Sequence, residues 1–459
     1  MSAEMTADYP RVRVVILSFD GGDMTLDCLQ SLVRTEWPAD RLEIVMVDNG
    51  SLDNIALRVR DKFPSVRILE PLANLGFAGG CNLGMQAPAE DGFEPDLVAL
   101  VNNDATVAPG WLAPLVETMG TASDIGAVSA KMVFAPRFTG FDYTVEAAGP
   151  VPDNEPPGVC ITQVRIGGEV DYVRFVTDES VYASMPIEPE SDDELRRWTK
   201  TAGSIRVSWE NADVVRPVTV SLRVKAWSER VVTFRSDAGE VRTVVGNEPV
   251  WVDVPIGTDQ FDVINNVGSN LFAGGFGGDR GFQERDRGQY DAPAEVFAWC
   301  GGAVLLRREY LDSVGVFDDR FFLYYEDTDL SWRGRLQGWR YVYEPRSLVR
   351  HRHAQSSGVG SLVFRFHTER NRLLMLAKCA PARVAWRAAL GEVKRNVRIH
   401  WVDLVKRPLT LQMPLKPVAA ERRHVLLSFF KFLPGMLRDR WMMDRRVSRR
   451  SLMRWEVTK

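Results

Sequence analysis

Residues 12–19 read VRVVILSF, residues 42–48 LEIVMVD, residues 66–70 VRILE and residues 96–102 DLVALVN. Each is a short apolar run rich in Val, Ile and Leu, and amphipathic stretches near Leu26–Arg34 and Ile55–Phe63 fall between the first three. Buried strands alternating with helices predict a parallel, doubly wound α/β sheet over residues 11–130. Ligands bind such sheets beyond the carboxyl ends of the strands. Those ends carry Ser18, Phe19 and Asp20 after the first run, Asp48, Asn49, Gly50 and Ser51 after the second, and Asn102, Asn103 and Asp104 after the fourth. Between them ANLGFAGGCNLG (Ala73–Gly84) sets Gly76, Gly79 and Gly80 around an expected helix start, where exposed amides suit a phosphate or nucleotide. It is not GxGxxG, so a dinucleotide fold is a poor match, and glycines also serve plain turns.

From residue 140 to residue 260 the pattern changes to short alternating strands, IRVSW, VTVSLRVKA, RVVTF, VRTVV and VWVDVPI, broken by Pro, Gly, Asn and Asp. This predicts an antiparallel, sandwich-like domain inserted into the α/β unit, which resumes near residue 261. Its Trp198, Trp209, Trp227 and Trp251 are expected mainly as core residues, with stacking on sugar rings as the alternative. The acidic run IEPESDDE (Ile187–Glu194) reads as a solvated loop. NLFAGGFGGDRGFQERDRGQYD (Asn270–Asp291) reads as a long loop, either a flap over a site or a connector.

GVFDDRFFLYYEDTDLSWR (Gly315–Arg333) sets five carboxylates among Phe317, Phe321, Phe322, Tyr324 and Tyr325. Partial dehydration raises a carboxylate toward the range useful to a general base. A capped helix start, with Asp329 pairing Arg333 at i,i+4, explains the acids equally well. Asp104 behind two asparagines is a plausible hard-cation site, since Mg²⁺ and Mn²⁺ take carboxylate and phosphate oxygens, although an Asx turn would serve as well. His351 and His353 alternate along an extended segment, so only one would face a given site.

The chain of 459 residues is 45% apolar, enough for two or three structural units. No run approaches a membrane span, the first residues lack an apolar signal core, and five widely spaced cysteines contain no CxxC pair. A reducing, cytoplasmic setting is the expectation. The net charge of −4 hides an asymmetry: from Ser361 onward 23 basic residues face 7 acidic ones. There FRFHTERNRLLMLAKCA, RVAWRAALGEVKRNVRIHWV and RRHVLLSFFKFLPGMLRDRWMMDRRVSRR mix cations with Trp, Phe, Leu and Met at helical spacing. An anionic membrane surface is the expected partner of this helical module, ahead of a plain subdomain and of nucleic acid.

The stretches VVILSFDGGDMTLDCLQSL, IVMVDNGSLD, NLGFAGGCNLG, VNNDATVAPGWL, WCGGAVLLRR, VGVFDDRFFLYYEDTDLSWRGRLQGWR and VRHRHAQSSG resemble, in order, the blocks of family 2 glycosyltransferases. The resemblance is to the bacterial rhamnosyltransferase and galactofuranosyltransferase-like branch. It implies a GT-A fold, with residues 1–139 as the nucleotide-sugar part, 140–260 as the β-rich insert, 261–360 as the acceptor and catalytic part, and 361–459 as the basic helical region. It implies a nucleotide-sugar donor contacted by Ser18, Phe19, Asp20, Asp48, Asn49, Gly76, Asn82, Asn102 and Asn103. Asp104 and His351 would hold a divalent cation, Mn²⁺ or Mg²⁺, with His353 the weaker candidate, and Asn in place of Asp at 102 and 103 removes negative charge from that motif. Asp327 would be the catalytic base with Glu326 beside it, and Trp299, Cys300 and Gly301 would lie on the acceptor side. The implied activity is inverting transfer from dTDP-rhamnose, or second UDP-galactofuranose, to a polyprenyl-linked or other cell-envelope glycan, at the inner face of the cytoplasmic membrane. A sugar-nucleotide pyrophosphorylase would need a basic residue in a Gly-rich loop after the first strand, where this chain has SFDGGD. A non-catalytic glycan-binding scaffold is the remaining alternative.

Overall fold

The computed structural model describes residues 9–150, 152, 155–166, 176–177, 197–208, 218–352, 361–402 and 416–457. His353, Trp209 and the acidic run 187–194 lie outside the described residues. The chain divides into two units, the first formed by Met1–Val133, Asn266–Arg280 and Gly288–Lys459, the second by Phe134–Asn265 and Gly281–Arg287.

In chain order the first elements are β1 (Val12–Ser18), α1 (Gly22–Leu32), β2 (Leu42–Asp48), α2 (Ile55–Lys62), β3 (Arg67–Leu69), α3 (Gly76–Met85), β4 (Leu97–Asn102), β5 (Ala105–Val107), α4 (Leu112–Gly120) and β6 (Ile125–Phe134). β1 pairs in parallel with both β2 and β4, and β2 with β3, in the register Ser18↔Asp48 and Leu17↔Asn102. Three strand ends therefore open along one edge, as the alternation of apolar runs and helices predicts. Val12, Val14, Ile16, Met46, Ala99 and Val101 turn one face of the strands into a continuous core with Leu26, Leu29, Leu112 and Leu115 of the helices.

The second unit holds β7 (Phe138–Ala147), β8 (Cys160–Ile166), β9 (Val176–Thr177), β10 (Arg197–Trp198), β11 (Ala202–Ser208), β12 (Val218–Lys225), β13 (Arg230–Ser236), β14 (Gly239–Val245) and β15 (Val250–Ile256). Two sheets, β10-β8-β12-β15 and β14-β13-β7-β11-β9, enclose one core of alternate residues such as Phe141, Tyr143, Val220, Leu222, Val232, Phe234, Val252 and Val254. This is the sandwich its alternation predicts. The core role expected of the tryptophans does not hold: Trp227 and Trp251 are exposed, and Trp198 stacks edge-on against Trp227 at 5.2 Å. Valines on both inner faces already fill the space between the sheets.

The chain continues through β16 (Ile264–Asn266), β17 (Ser269–Phe272), β18 (Phe276–Asp279), β19 (Ala294–Glu295), β20 (Ala303–Arg307), α5 (Arg308–Val314), α6 (Glu326–Gln337) and β21 (Arg340–His351). β20 inserts antiparallel between β4 and β6, completing the mixed order β19-β21-β6-β20-β4-β1-β2-β3. The Gly-rich run read as a loop instead contains the hairpin β17–β18. Distant partners add to it: the backbones of Ser269 and Ala298 exchange hydrogen bonds of 2.9 and 3.2 Å.

Among the described residues the helices α7 (Leu362–Cys379), α8 (Ala382–Trp401) and α9 (Lys416–Met442) follow, then a short strand β22 (Glu456–Val457) that adds to β17. The second half of α7 is buried, and Leu373, Leu374 and Leu376 share a core with Phe321, Trp332 and Leu336. Three cations of this first basic segment, Arg370, Arg372 and Lys378, are internal ties. Lys378 Nζ bridges Asp318 at 2.6 Å and Asp329 at 2.8 Å. No helix among the described residues is long and apolar enough to cross a membrane.

Candidate active site

Where β1, β2 and β4 end, backbone and short polar side chains knit three loops together. Ser18 Oγ lies 2.9 Å from Thr25 Oγ1, which accepts from Asn103 Nδ2 at 3.1 Å. A Cβ on Gly21 would come within 2.2 Å of Asn103 Nδ2 and 2.3 Å of Thr25 Oγ1, so a larger residue there would displace these side chains. Asp20 sits in the left-handed region, its amide donating to Ser51 Oγ at 3.0 Å and its Oδ1 accepting from the Leu52 amide at 2.6 Å. Asp48 Oδ1 accepts from the Ser51 amide. Phe19 stays 45% exposed beside these groups.

Two of the expected donor contacts are occupied in holding the site together. Asn49 Oδ1 accepts from the Leu75 amide while its Nδ2 donates to Asn74 Oδ1 and to the Gly76 carbonyl, fixing the entry to α3. Gly76 has φ +71°, and a Cβ there would strike Phe322. Asn82 clasps the acidic segment: its Nδ2 donates to Phe317 O and Asp319 Oδ1, and its Oδ1 accepts from the Phe317 amide at 3.0 Å.

His351 converges with Asp104 and Asn102 although it lies 247 and 249 residues beyond them in sequence. β21 pairs antiparallel with β5 in the register His351↔Ala105, which sets the imidazole beside Asp104. His351 Nε2 is 2.9 Å from Asp104 Oδ1 and 3.3 Å from Asn102 Nδ2; Asp104 and His351 are buried and Asn102 is half-buried. One carboxylate and one imidazole fit a hard or borderline cation that completes its shell with phosphate oxygens. Among the described residues no group of three or more His, Cys, Asp or Glu could hold a metal unaided.

The acidic segment reaches the same strand ends, since the Gly301 amide that bonds Asp327 precedes Gly302, whose carbonyl accepts from the Asn102 amide at 3.0 Å. Phe322, Tyr324 and Tyr325 all have φ between +65° and +70°, which bulky L-residues adopt only under constraint. That constraint comes from α7: Asn371 Nδ2 lies within 2.7–2.9 Å of the carbonyls of Phe321, Leu323 and Tyr324, and Arg370 donates to those of Arg320 and Phe321. The twisted run delivers Glu326 and Asp327 to the first turn of α6. Asp327 Oδ2 accepts from the Gly301 amide at 3.2 Å, and Oδ1 from the Thr328 amide at 2.6 Å and hydroxyl at 3.1 Å. Burial pushes the Asp327 carboxyl above its ordinary range against those hydrogen bonds. Glu326 is 5% exposed with no partner for Oε2, and burial followed by the charge of Asp327 raises it well above the ordinary range. A helix N-terminus favours an anion by about 0.3–1 kcal/mol, whereas burying an unpaired charge costs several times that, so burial wins.

The other acids are structural. Asp329 is fully buried against Arg333 Nε at 2.8 Å and Lys378, Asp318 accepts from Arg320 and Lys378, and Asp319 meets Asn82. The i,i+4 pair of Asp329 with Arg333 is the one the sequence spacing indicates. Trp299, expected on the acceptor side, is fully buried against Phe317, so it supports the cleft from behind and cannot meet an acceptor. Cys300 is part-buried, and Gly301 contributes its amide to Asp327.

Asp279, at the end of β18, is the group that sequence reading missed. Gly277 on the same strand donates its amide to Tyr325 Oη at 3.3 Å, which seats the hairpin against the acidic segment. Asp279 Oδ1 accepts from Asn266 Nδ2 at 2.5 Å. Although the residue keeps an exposed face, protein crowded around its carboxyl raises it to about 6, with Asn266 and His351 opposing and Asp327 adding. Three acids thus share one field, and removing the charge of Glu326 has a measurable consequence. A carboxyl raised in the folded state stabilises below its unfolded value and loses that contribution as pH climbs through the folded value. Glu326→Gln is therefore expected to match the parent below pH 4 and to melt a few degrees higher near pH 8. Calorimetry across that range checks this, and a lower melting temperature at pH 8 refutes it.

Residues 13–142 match the family model described as glycosyl transferase family 2. A mixed α/β sheet, an antiparallel sandwich and C-terminal helices are all present, as the sequence reading expects. Among curated proteins, N-acetylglucosaminyl-diphospho-decaprenol L-rhamnosyltransferase of Mycobacterium tuberculosis (strain ATCC 25618 / H37Rv) is 46% identical over 61 residues, 13% of this chain and 20% of that protein. The uncharacterized glycosyltransferase YibD of Escherichia coli (strain K12) is 30% identical over 133 residues, 28% of this chain and 36% of that protein. The chain thus spans about a fifth and about a third of the length of these two relatives. A crystal structure of GalNAc-T7 with UDP, GalNAc and Mn²⁺ aligns with TM-score 0.44 and 11% identity, over 95% of this chain and 59% of the other.

Proposed function

We propose that the protein is a metal-dependent, inverting glycosyltransferase that moves a sugar from a nucleotide-diphosphate donor to a hydroxyl of a lipid-linked or other cell-envelope glycan. The observation that carries this reading is the meeting of Asp104, His351 and Asn102 at the strand ends of the sheet, with Asp327 held by Gly301 next to the Gly302 carbonyl that bonds the Asn102 amide. dTDP-rhamnose is the first donor to test, because a partial curated relative is named a rhamnosyltransferase, and UDP-galactofuranose is the second.

Ser18, Phe19, Asp20, Asp48, Asn102 and Asn103 line the donor side in this reading, with Asn49, Gly76 and Asn82 holding the loops that shape it. Asp104 and His351 would hold Mn²⁺ or Mg²⁺, which when bound supplies counter-charge for the departing diphosphate. Asp327 takes the proton from the acceptor hydroxyl as its oxygen attacks the anomeric carbon, and the bond from that carbon to the diphosphate oxygen breaks on the opposite face. Glu326 sets the field around the base. An acceptor built on a lipid, as the relative's name states for that protein, suits the basic C-terminal helices, which would work at an anionic membrane surface.

The test is incubation with a panel of nucleotide sugars and lipid-linked acceptors, with and without Mn²⁺, scoring released nucleoside diphosphate. Turnover with dTDP-rhamnose that requires the cation is expected. No turnover with any pair would favour the glycan-binding scaffold.

A further inference from the structure

At the end of α9 the chain builds a second concave site that the transfer reaction does not use. A cavity of about 500 Å³ is lined by Arg440, Arg445, Arg449 and Arg450 together with Trp441 and Ser448. Among the described residues none of the four arginines forms an ion pair, and the nearby Asp444 is exposed and does not line the cavity. Their anchors are backbone carbonyls: Arg440 Nη1 donates to Ala377 O at 3.1 Å and Ala380 O at 2.7 Å, and Arg449 Nη2 to Arg440 O at 3.0 Å. Arg449 is 92% buried, and its Nε has no hydrogen-bond partner among the described residues. A dehydrated guanidinium donor among three other uncompensated cations is costly unless an anion joins it. Burial, then Arg440 and Arg445, push the Arg449 guanidinium down, the direction that mutual repulsion dictates.

The apolar surroundings narrow the anion's source. Leu427, Phe430, Pro434, Leu437 and Trp441 of α9 follow one another at steps of three and four residues, and all are exposed. They form one stripe about 20 Å long at 1.5 Å per residue, and it ends at the arginine cavity, where Trp441 is 88% and Met442 74% exposed. Lys431 and Arg438 are exposed next to the stripe in sequence. Apolar side chains beside a forked-cation pocket fit an amphiphile with acyl chains and a phosphate headgroup better than a small hydrophilic anion.

We infer that the Arg440–Arg450 cavity binds the phosphate of an anionic membrane lipid while the α9 stripe lies in the interface above it. This rests on the membrane surface in the proposed function, and its test separates the two. Full-length protein is sedimented with vesicles of phosphatidylcholine alone or with one quarter phosphatidylglycerol, and titrated with pyrophosphate by calorimetry. Arg445 and Arg450 are exposed, so their replacement leaves the fold intact, which circular dichroism verifies.

Binding only to the phosphatidylglycerol vesicles is expected, with at least about tenfold loss in the Arg445→Gln/Arg450→Gln pair, given ~1 kcal/mol per surface cation. A clear loss is also expected in Arg445→Lys/Arg450→Lys, which keeps the charge but not the bidentate fork. Vesicle binding by the lysine pair equal to the parent overturns the pocket and leaves the membrane reading standing. No binding by the parent to vesicles or to pyrophosphate overturns both. Pyrophosphate binding that needs the same arginines without any vesicle binding keeps the phosphate site and overturns the lipid as its source.

Discussion

Asp327→Asn is expected to fold as the parent does and to lose about 10²–10⁴ of kcat, the usual contribution of a positioned general base. The amide oxygen can still accept from the backbone of Gly301 or Thr328, so the geometry of the first turn of α6 survives. What disappears is the capacity to take a proton. Because burial raises the Asp327 carboxyl and a base must be ionised, activity in the parent should climb with pH through a midpoint above the ordinary carboxylate range. Donor affinity should stay near the parent's, since Asp327 acts on the acceptor. A variant that retains most of its transfer rate would remove Asp327 as the base.

The parallel half of the sheet was legible because buried parallel strands announce themselves as continuous apolar runs, and their carboxyl ends necessarily share an edge. Ser18, Asp48 and Asn102 fall at that edge by register alone. The partnership of Asp104 with His351 had no such local signal, since it depends on β21 pairing with β5 across most of the chain, and only the likeness to a family pointed to it. Asp279 was hidden for a related reason. Glycine-rich sequence has low strand propensity, so AGGFGGD looked like a loop, while the distant pairing that adds to the hairpin comes from Ala298 and Glu456.

The five acids of Gly315–Arg333 could not be ranked from their own segment, because burial alone acts on all of them alike. Their ranking follows from cations elsewhere: Lys378 and Arg333 neutralise Asp329, Lys378 and Arg320 neutralise Asp318, and among the described residues no cation pairs with Glu326 or Asp327. The same fact divides the basic tail. Charge counting treats Lys378 and Arg445 alike, yet one is an internal tie and the other lines an open cavity. The bend at Phe322, Tyr324 and Tyr325 needed the amide of Asn371, again from the tail, so the last hundred residues shape the candidate centre as directly as the first hundred.

Asp104→Ala is expected to abolish the effect of Mn²⁺ on donor binding and to lower kcat/KM by about 10²-fold or more, since a cation's stabilisation of transferring phosphate charge amounts to several kcal/mol. The fold should tolerate the change: the backbone link from the Arg352 amide to Asp104 O at 2.9 Å does not involve the side chain. His351 would remain as a single ligand, too few to hold a hard cation against water, with Asn102 supplying a neutral neighbour in place of charge. The measurement is calorimetric titration of the donor with a Mn²⁺ series and with chelator. In the parent, chelator should weaken donor binding, and in the variant the two conditions should coincide at the weaker value. His351→Gln should fall between them, because Asp104 keeps the charge and loses only its imidazole partner at 2.9 Å. If Mn²⁺ strengthens donor binding equally in Asp104→Ala and the parent, the cation binds elsewhere and the convergence of Asp104 with His351 is a structural ion pair.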